Sequence, residues 1–155
     1  MIPLNILSAL KMFYAKISKE DILWVLSGST SLVIQGVDVT INNDIDILTD
    51  KKGSIEIDRI FAEFRVKDLD YSTTDKYKSY FGIYRINNIQ VEVMGDFQYK
   101  MNNGEWADFN QNNEIFIKIF EGMNLPLLKL EQEYKEYFSV GNHDKAEKIK
   151  ELLTQ

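Results

Sequence analysis

Residues 42–49 read NNDIDILT, and they follow a LSGST turn at residues 26–30. The pattern Asp-Ile-Asp-Ile alternates strictly, which predicts a strand over residues 44–48. Side chains two residues apart on a strand share a face, so Asp44 and Asp46 project together, about 6.6 Å apart along the chain. Carboxylates are rarely buried unless they are paired or bind a metal. Two on one strand face therefore look into water or hold a cation.

Upstream, ILWVLS (22–27) is a short apolar run that ends at Gly28, the pattern of a buried strand. Ser29 to Gln35 then predicts a short helix, stopped by Gly36. Downstream, KGSIEIDRIFAEF (52–64) places Ile57, Ile60, Phe61 and Phe64 on one helical face, with Ser54 as its N-cap. YFGIYRI and IQVEVMG flank Asn87-Asn88, two residues that tolerate positive φ, so a hairpin is expected. Its second strand sets Gln90, Glu92 and Met94 on one face, opposite Ile89, Val91 and Val93. At the N-terminus, Pro3 suits a first helical position, and Leu4, Leu7, Leu10, Tyr14 and Ile17 form a candidate apolar stripe. EIFIKIFEG (114–122) predicts a further strand. KLEQEYKEYF (129–138) and NHDKAEKIKELL (142–153) predict two helices separated near Gly141. The expected architecture is α/β (α+β): a mixed sheet of about five strands covered by helices, with a C-terminal helical segment.

Length and composition narrow the function classes. The chain of 155 residues suffices for one domain, 1–155, with a core over about 20–122 and C-terminal helices over about 129–153. Hydrophobic residues at 45% and aromatics at 12% suit a folded chain and argue against disorder. With no cysteine, disulfide frameworks and thiolate metal sites or nucleophiles are excluded. The formal charge of −6 disfavours nonspecific binding to nucleic acid or anionic membrane. No stretch is long and apolar enough to span a bilayer, and the opening residues lack a signal peptide's basic start and cleavage site. A cytoplasmic location is expected.

The pieces form a constellation: strand, Gly-Ser turn opening a helix, strand with Asp-x-Asp, and a later strand with a lone Glu. If the strand of Glu92 lies beside that of Asp44 and Asp46, three carboxylates converge. Hard divalent cations such as Mg²⁺ take oxygen ligands and share them with substrate phosphates. Two such ions, about 3.5–4 Å apart, can stabilise the attacking and leaving oxygens of a phosphoryl displacement. Gly28 allows close backbone approach to a phosphate, Ser29 adds a hydroxyl, and the helix start offers N–H groups.

These residues resemble the small nucleotidyltransferases of the DNA polymerase β-like superfamily. The family signature is a hydrophobic strand with Gly-Ser or Gly-Gly, a short helix, Asp-h-Asp-h with h hydrophobic, and a later h-Asp/Glu-h. This chain supplies Leu26-Ser27-Gly28-Ser29, Asp44-Ile45-Asp46-Ile47 and Val91-Glu92-Val93. The resemblance covers most of residues 20–153. It implies a nucleotidyltransferase fold and transfer of a nucleoside monophosphate from an NTP, with ATP expected, to a hydroxyl acceptor with release of pyrophosphate. Asp44 and Asp46 would bind Mg²⁺ or Mn²⁺, and Glu92 would complete the metal site and take the acceptor proton. Gly28 and Ser29 would hold the β- and γ-phosphates.

One segment departs from the family pattern. Relatives start the last helix with Gly-Arg followed closely by Lys-Asp, whereas this chain has Gly141-Asn142-His143-Asp144-Lys145. Lys145 or Lys148 would have to stand in for the missing Arg at the triphosphate. The intact carboxylate trio favours the enzyme. The altered tail favours an alternative, a non-catalytic nucleotide-binding or interaction module such as the antitoxin partner of a toxin-like protein. Relatives this small often complete their acceptor site with a second subunit, so the resemblance implies a homodimer. The acceptor could be an aminoglycoside-like antibiotic, another small hydroxyl compound or a protein side chain.

Other polar residues have structural readings. Ser27, Thr30 and Ser31 suit caps and turns, and Asp38, Asp50 and Asp96 suit loops, with Asp96 close enough to Glu92 to line a cleft. His143 is expected in the first turn of the last helix, and no histidine-based triad can be built. Trp24 and Trp106 are expected in the core. Glu131, Glu133, Lys135 and Glu136 read as a solvated helix face.

Overall fold

The computed structural model describes residues 2–109 and 114–155. Five helices and eight strands follow one another as α1 (Leu4–Ile17), β1 (Trp24–Ser27), α2 (Gly28–Ile34), β2 (Asp44–Thr49), α3 (Lys51–Ile60), β3 (Arg65–Thr73), β4 (Tyr77–Ile86), β5 (Ile89–Lys100), β6 (Trp106–Asp108), β7 (Ile115–Phe120), β8 (Met123–Leu128), α4 (Leu130–Ser139) and α5 (His143–Leu153). The strands form one mixed sheet in the order β3-β4-β5-β2-β1-β8-β7, and β6 pairs with β5. β2 runs parallel to β5 and β1 parallel to β8, while the other neighbours are antiparallel.

The expected five strands are thus eight. β3, β6 and β8 carry no clear strand signal, for separate reasons. β3 is an edge strand that is almost wholly exposed, so no buried side alternates with a wet one. β6 has three residues. β8 contains Pro126, which reads as a breaker; here its register with β1 is the single pair Leu26–Leu127, so a missing amide donor costs little.

The Asn87-Asn88 hairpin is present, with φ of 50° and 64° at the two residues. The alternation read for β5 holds up to Gly95. There β4 advances two residues (Lys78 to Tyr80) while β5 advances three (Gly95 to Gln98), a bulge with Asp96 at φ 51°. The bulge swaps faces: Val91 and Val93 join the core under α1, whereas Phe97 and Tyr99 join Val25 and Leu48 on the other side.

The main core lies on the sheet face covered by α1 and α3. There Leu10, Phe13, Trp24, Ile45, Ile47, Ile57, Phe61 and Tyr84 pack together. Trp24 is a core residue, as expected. Trp106 is not: it is half-exposed on β6, with Lys78 Nζ 4.3 Å from its ring centroid. The α1 stripe is rotated from its expected position, with Ile6, Ala9, Leu10, Phe13 and Ile17 buried and Leu4 83% exposed. Helix α3 is capped by Asp50, whose Oδ1 accepts from Gly53 N, so Ser54 is interior and Asp50 is more than a loop carboxylate. On the opposite face α2, α4 and α5 meet through Leu32, Tyr137, Ala146 and Ile149. They cover part of the sheet and leave the side of Asp44, Asp46 and Glu92 facing a cleft. Among the described residues, no helix is long and apolar enough to cross a membrane.

Candidate active site

Parallel pairing of β2 with β5 brings the acidic residues together. In register, Asp44 lies opposite Gln90 and Asp46 opposite Glu92, while Asp46 also faces Ser27 of β1. Oxygens of Asp44, Asp46 and Glu92 come within 4.8 Å of one another, and all three residues are half-buried. The period-two alternation that exposes these carboxylates puts Ile45, Ile47, Val91 and Val93 into the core behind them.

The electrostatics of this trio are unfavourable without a cation. Burial, followed by the charges of Asp44, Glu92 and Glu136, raises the Asp46 carboxyl well above the ordinary range. Burial and then the Asp44 charge raise Glu92. Asp44 is raised by burial, an effect that Lys145 partly offsets. Three clustered oxygen donors that hold each other's protons suit a hard divalent cation, which would relieve the repulsion. The donor set fits Mg²⁺ or Mn²⁺ and lacks the nitrogen and sulfur ligands that zinc favours.

The turn after β1 sits directly against this cluster. Gly28 has φ +72°, and a Cβ placed there would overlap Asp46 Oδ2, so only glycine fits. Thr30 Oγ1 donates to the Asp44 carbonyl at 3.0 Å, tying α2 to the start of β2. The Gly28 N–H is already engaged: it donates to Glu133 Oε1 of α4 at 2.8 Å.

A cavity of about 410 Å³ opens between the cluster and the C-terminal helices, and its walls include Gly28, Asp46, Glu92, Tyr77, Glu136 and Lys145. Gly28 and Lys145 thus face the same space as two of the carboxylates. Ser29, 4% exposed in the first turn of α2, does not reach that wall. Lys145 is placed by Asn142, the N-cap of α5, whose Oδ1 accepts from Lys145 N, and its ammonium lies 5.0 Å from the Tyr137 ring centroid. His143 occupies the first turn of α5, edge-on to Phe138. Asp96 faces a different cavity, with Thr49, Tyr71 and Tyr80, and accepts from Lys51 N, because the β5 bulge turns it away from Glu92.

Helix α4 carries the residues that the sequence reading misplaced. Glu133 is 1% exposed, and its Oε2 is the one buried side-chain polar atom without a partner among the described residues. Burial, then the neighbouring Glu136 charge, raises its carboxyl well above the usual range. Glu136 is half-buried on the cavity wall, and burial pushes its pKa up to about 7 despite Lys145. Glu131 and Lys135 are exposed as expected. Nothing local distinguishes Glu133 from Glu131; its acceptor role depends on Gly28, 105 residues away.

No curated protein sequence matches the chain. A family model described as aminoglycoside-2''-adenylyltransferase matches residues 9–152. The protein TM1012 from Thermotoga maritima, described as a nucleotidyltransferase, is 39% identical, with 99% of this chain and 96% of that chain covered and a TM-score of 0.84. The antibiotic-resistance factor ANT(2'')-Ia shares the fold at 10% identity and TM-score 0.67, over 98% of this chain and 86% of that one. The lincosamide antibiotic adenylyltransferase LnuA does so at 12% identity and TM-score 0.60, over 97% of each chain. A matched span of residues 9–152 and a 39% identical full-length neighbour place this chain in the aminoglycoside-2''-adenylyltransferase family of nucleotidyltransferases.

Proposed function

We propose that the protein transfers a nucleoside monophosphate, AMP from ATP in the first instance, to a hydroxyl group of a small acceptor. The observation that carries this reading is the trio Asp44, Asp46 and Glu92, gathered from β2 and β5 beside a cavity that also presents Gly28 and Lys145. In the reaction the acceptor O–H loses its proton, a bond forms from that oxygen to the α-phosphorus, and the bond from the α-phosphorus to the bridging oxygen breaks. Pyrophosphate leaves with the bonding electrons.

Asp44, Asp46 and Glu92 would hold Mg²⁺ or Mn²⁺, which when bound polarises the phosphate and stabilises charge on the attacking and leaving oxygens. Glu92, beside the metal site on β5, would take the acceptor proton. Lys145 compensates charge on the β- and γ-phosphates across the cavity. Gly28 lets those phosphates approach the turn closely through its missing side chain, since its N–H is taken by Glu133. Ser29 contributes the local helix start and not a side-chain contact.

A second reading, the nucleotide-binding or interaction module, has one specific observation behind it. Lys145 is the sole Lys or Arg on the wall of this cavity among the described residues. The two readings separate when α-labelled ATP and Mg²⁺ are incubated with a panel of hydroxyl acceptors, and labelled product and pyrophosphate are measured together. Stoichiometric product and pyrophosphate with wild type, and neither with Glu92→Gln, support transfer. Metal-dependent ATP binding with no product from any acceptor supports the module.

A further inference from the structure

The sheet ends in two edges of opposite character. β3, at one end, carries Arg65, Lys67, Asp68 and Asp70 and is interrupted by register shifts, both devices that keep an edge strand from pairing further. β7, at the other end, reads Ile-Phe-Ile-Lys-Ile-Phe, with Ile117 62% and Ile119 76% exposed. An edge of this kind sets a row of backbone donors and acceptors beside bare apolar side chains.

Pairing with β8 decides which backbone groups face outward. Glu114 O accepts from Lys129 N at 2.8 Å, and the hydrogen-bonded pairs alternate from there as Phe116 with Leu127, Lys118 with Leu125 and Phe120 with Met123. Ile117 stands opposite Pro126, which has no N–H to give. Ile115, Ile117 and Ile119 therefore direct N–H and C=O away from β8. No described residue meets those of Ile117 or Ile119. Their side chains share the sheet face on which Ile115 packs with Val25 and Leu48, which is the face of the cleft. Phe116, Lys118 and Phe120 lie on the other face, where Phe120 packs against the main core.

We propose that β7 pairs antiparallel with β7 of a second copy of this chain, joining two sheets into one across a twofold axis at Ile117. Among antiparallel registers of Ile115–Phe120 with itself, only this one engages all three outward residues. Ile117 meets Ile117 of the second copy and Ile115 meets its Ile119, each pair exchanging two hydrogen bonds. On the cleft face the isoleucines of both copies form one apolar ladder. On the opposite face Lys118 stands across from Phe116 of the second copy and diagonal to its Glu114, which matches charge with both ring and carboxylate. The occupant is a second copy because the strand is complementary to itself: over residues 114–120 the register sets no like charges across from each other. The axis stands perpendicular to the sheet, so the two clefts open on the same side of the dimer. This assignment is independent of the reaction carried out in the cleft.

The test is sedimentation equilibrium of the full chain over a range of concentrations. Wild type should approach twice the 18.1 kDa mass of one chain as concentration rises. Ile117→Lys puts two ammonium groups face to face on the axis and should remain monomeric, with its fold checked by circular dichroism. Lys118→Glu and Glu114→Lys should each weaken dimerisation by about two- to thirtyfold, because the dimer holds the diagonal pair twice. The double variant Lys118→Glu/Glu114→Lys should dimerise more tightly than either single variant, a coupling that general stickiness of the edge would not produce. If Ile117→Lys misfolds, the charge variants still decide the register. Wild type that stays at 18.1 kDa throughout, or that grows beyond two chains, overturns the proposal. So does a folded Ile117→Lys that dimerises like wild type, or a double variant no tighter than its singles.

Discussion

Gly28 and Glu133 are joined by a 2.8 Å hydrogen bond that runs from the backbone of the turn after β1 to a carboxyl buried in α4. On its other side Gly28 abuts Asp46, where any side chain would overlap the carboxylate. The C-terminal helices are thereby fastened to the turn that borders the cluster. Leaving a buried donor unpaired costs about 1–3 kcal/mol. Glu133→Ala should therefore lower Tm by roughly 3–10 °C, and Glu133→Gln, whose amide oxygen can still accept from Gly28, by clearly less. Calorimetric melting of the two variants checks this; equal losses would mean that the hydrogen bond is not what Glu133 contributes.

Gly28→Ala faces both a left-handed backbone and the Asp46 carboxylate. The turn must shift, and Asp46 with it. The expected result is a loss of at least 1 kcal/mol of stability together with loss of Mn²⁺ binding, read by calorimetric titration. A variant that retains wild-type Mn²⁺ affinity would contradict this placement of the turn.

The pH dependence has a definite sign. Asp44, Asp46, Glu92, Glu133 and Glu136 all hold protons more tightly in the folded chain, with Glu136 near 7. Groups with raised folded pKa bind more protons folded than unfolded, so their stabilising effect is complete below the usual carboxylate range and is lost as pH rises. Asp58, lowered by its bonds to Arg65 and Tyr84 despite its burial, acts oppositely and only at more acidic pH. Metal-free protein should therefore melt at lower temperature at pH 7.5 than at pH 5.5, and Mn²⁺ should restore more stability at pH 7.5. A metal-free Tm that rises over this interval would contradict the electrostatic account.

Much of the fold and site was legible because its signals are local. Asp44-Ile45-Asp46-Ile47 and Val91-Glu92-Val93 alternate, so the residues that face the cleft and those that build the core follow from period two. Asn87-Asn88 marks its own hairpin. The missed features depend on distant partners. Glu133 looks like any helical surface glutamate until Gly28 is brought to it. The direction of Asp96 turns on a one-residue bulge, and β3 is held by its pairing with β4 without a buried face of its own.

The isosteric change Asp46→Asn removes a half-buried charge crowded by Asp44, Glu92 and Glu136. At pH 7.5 without metal it should raise Tm by a few degrees, because like-charge repulsion is relieved while the amide can still hydrogen-bond Glu92. A site built for function in this way is less stable empty than its disabled variant. A lower metal-free Tm for Asp46→Asn would make Asp46 a structural residue.

The central claim is that the trio from β2 and β5 holds a divalent cation for a nucleoside triphosphate. The most direct measurement is calorimetric titration of ATP in the presence and absence of Mn²⁺, for wild type and the Asp44→Asn/Asp46→Asn double variant. The account predicts saturable ATP binding by wild type that requires Mn²⁺ and disappears in the double variant while its fold is retained. ATP binding that ignores the metal, or that survives loss of both aspartates, would contradict it.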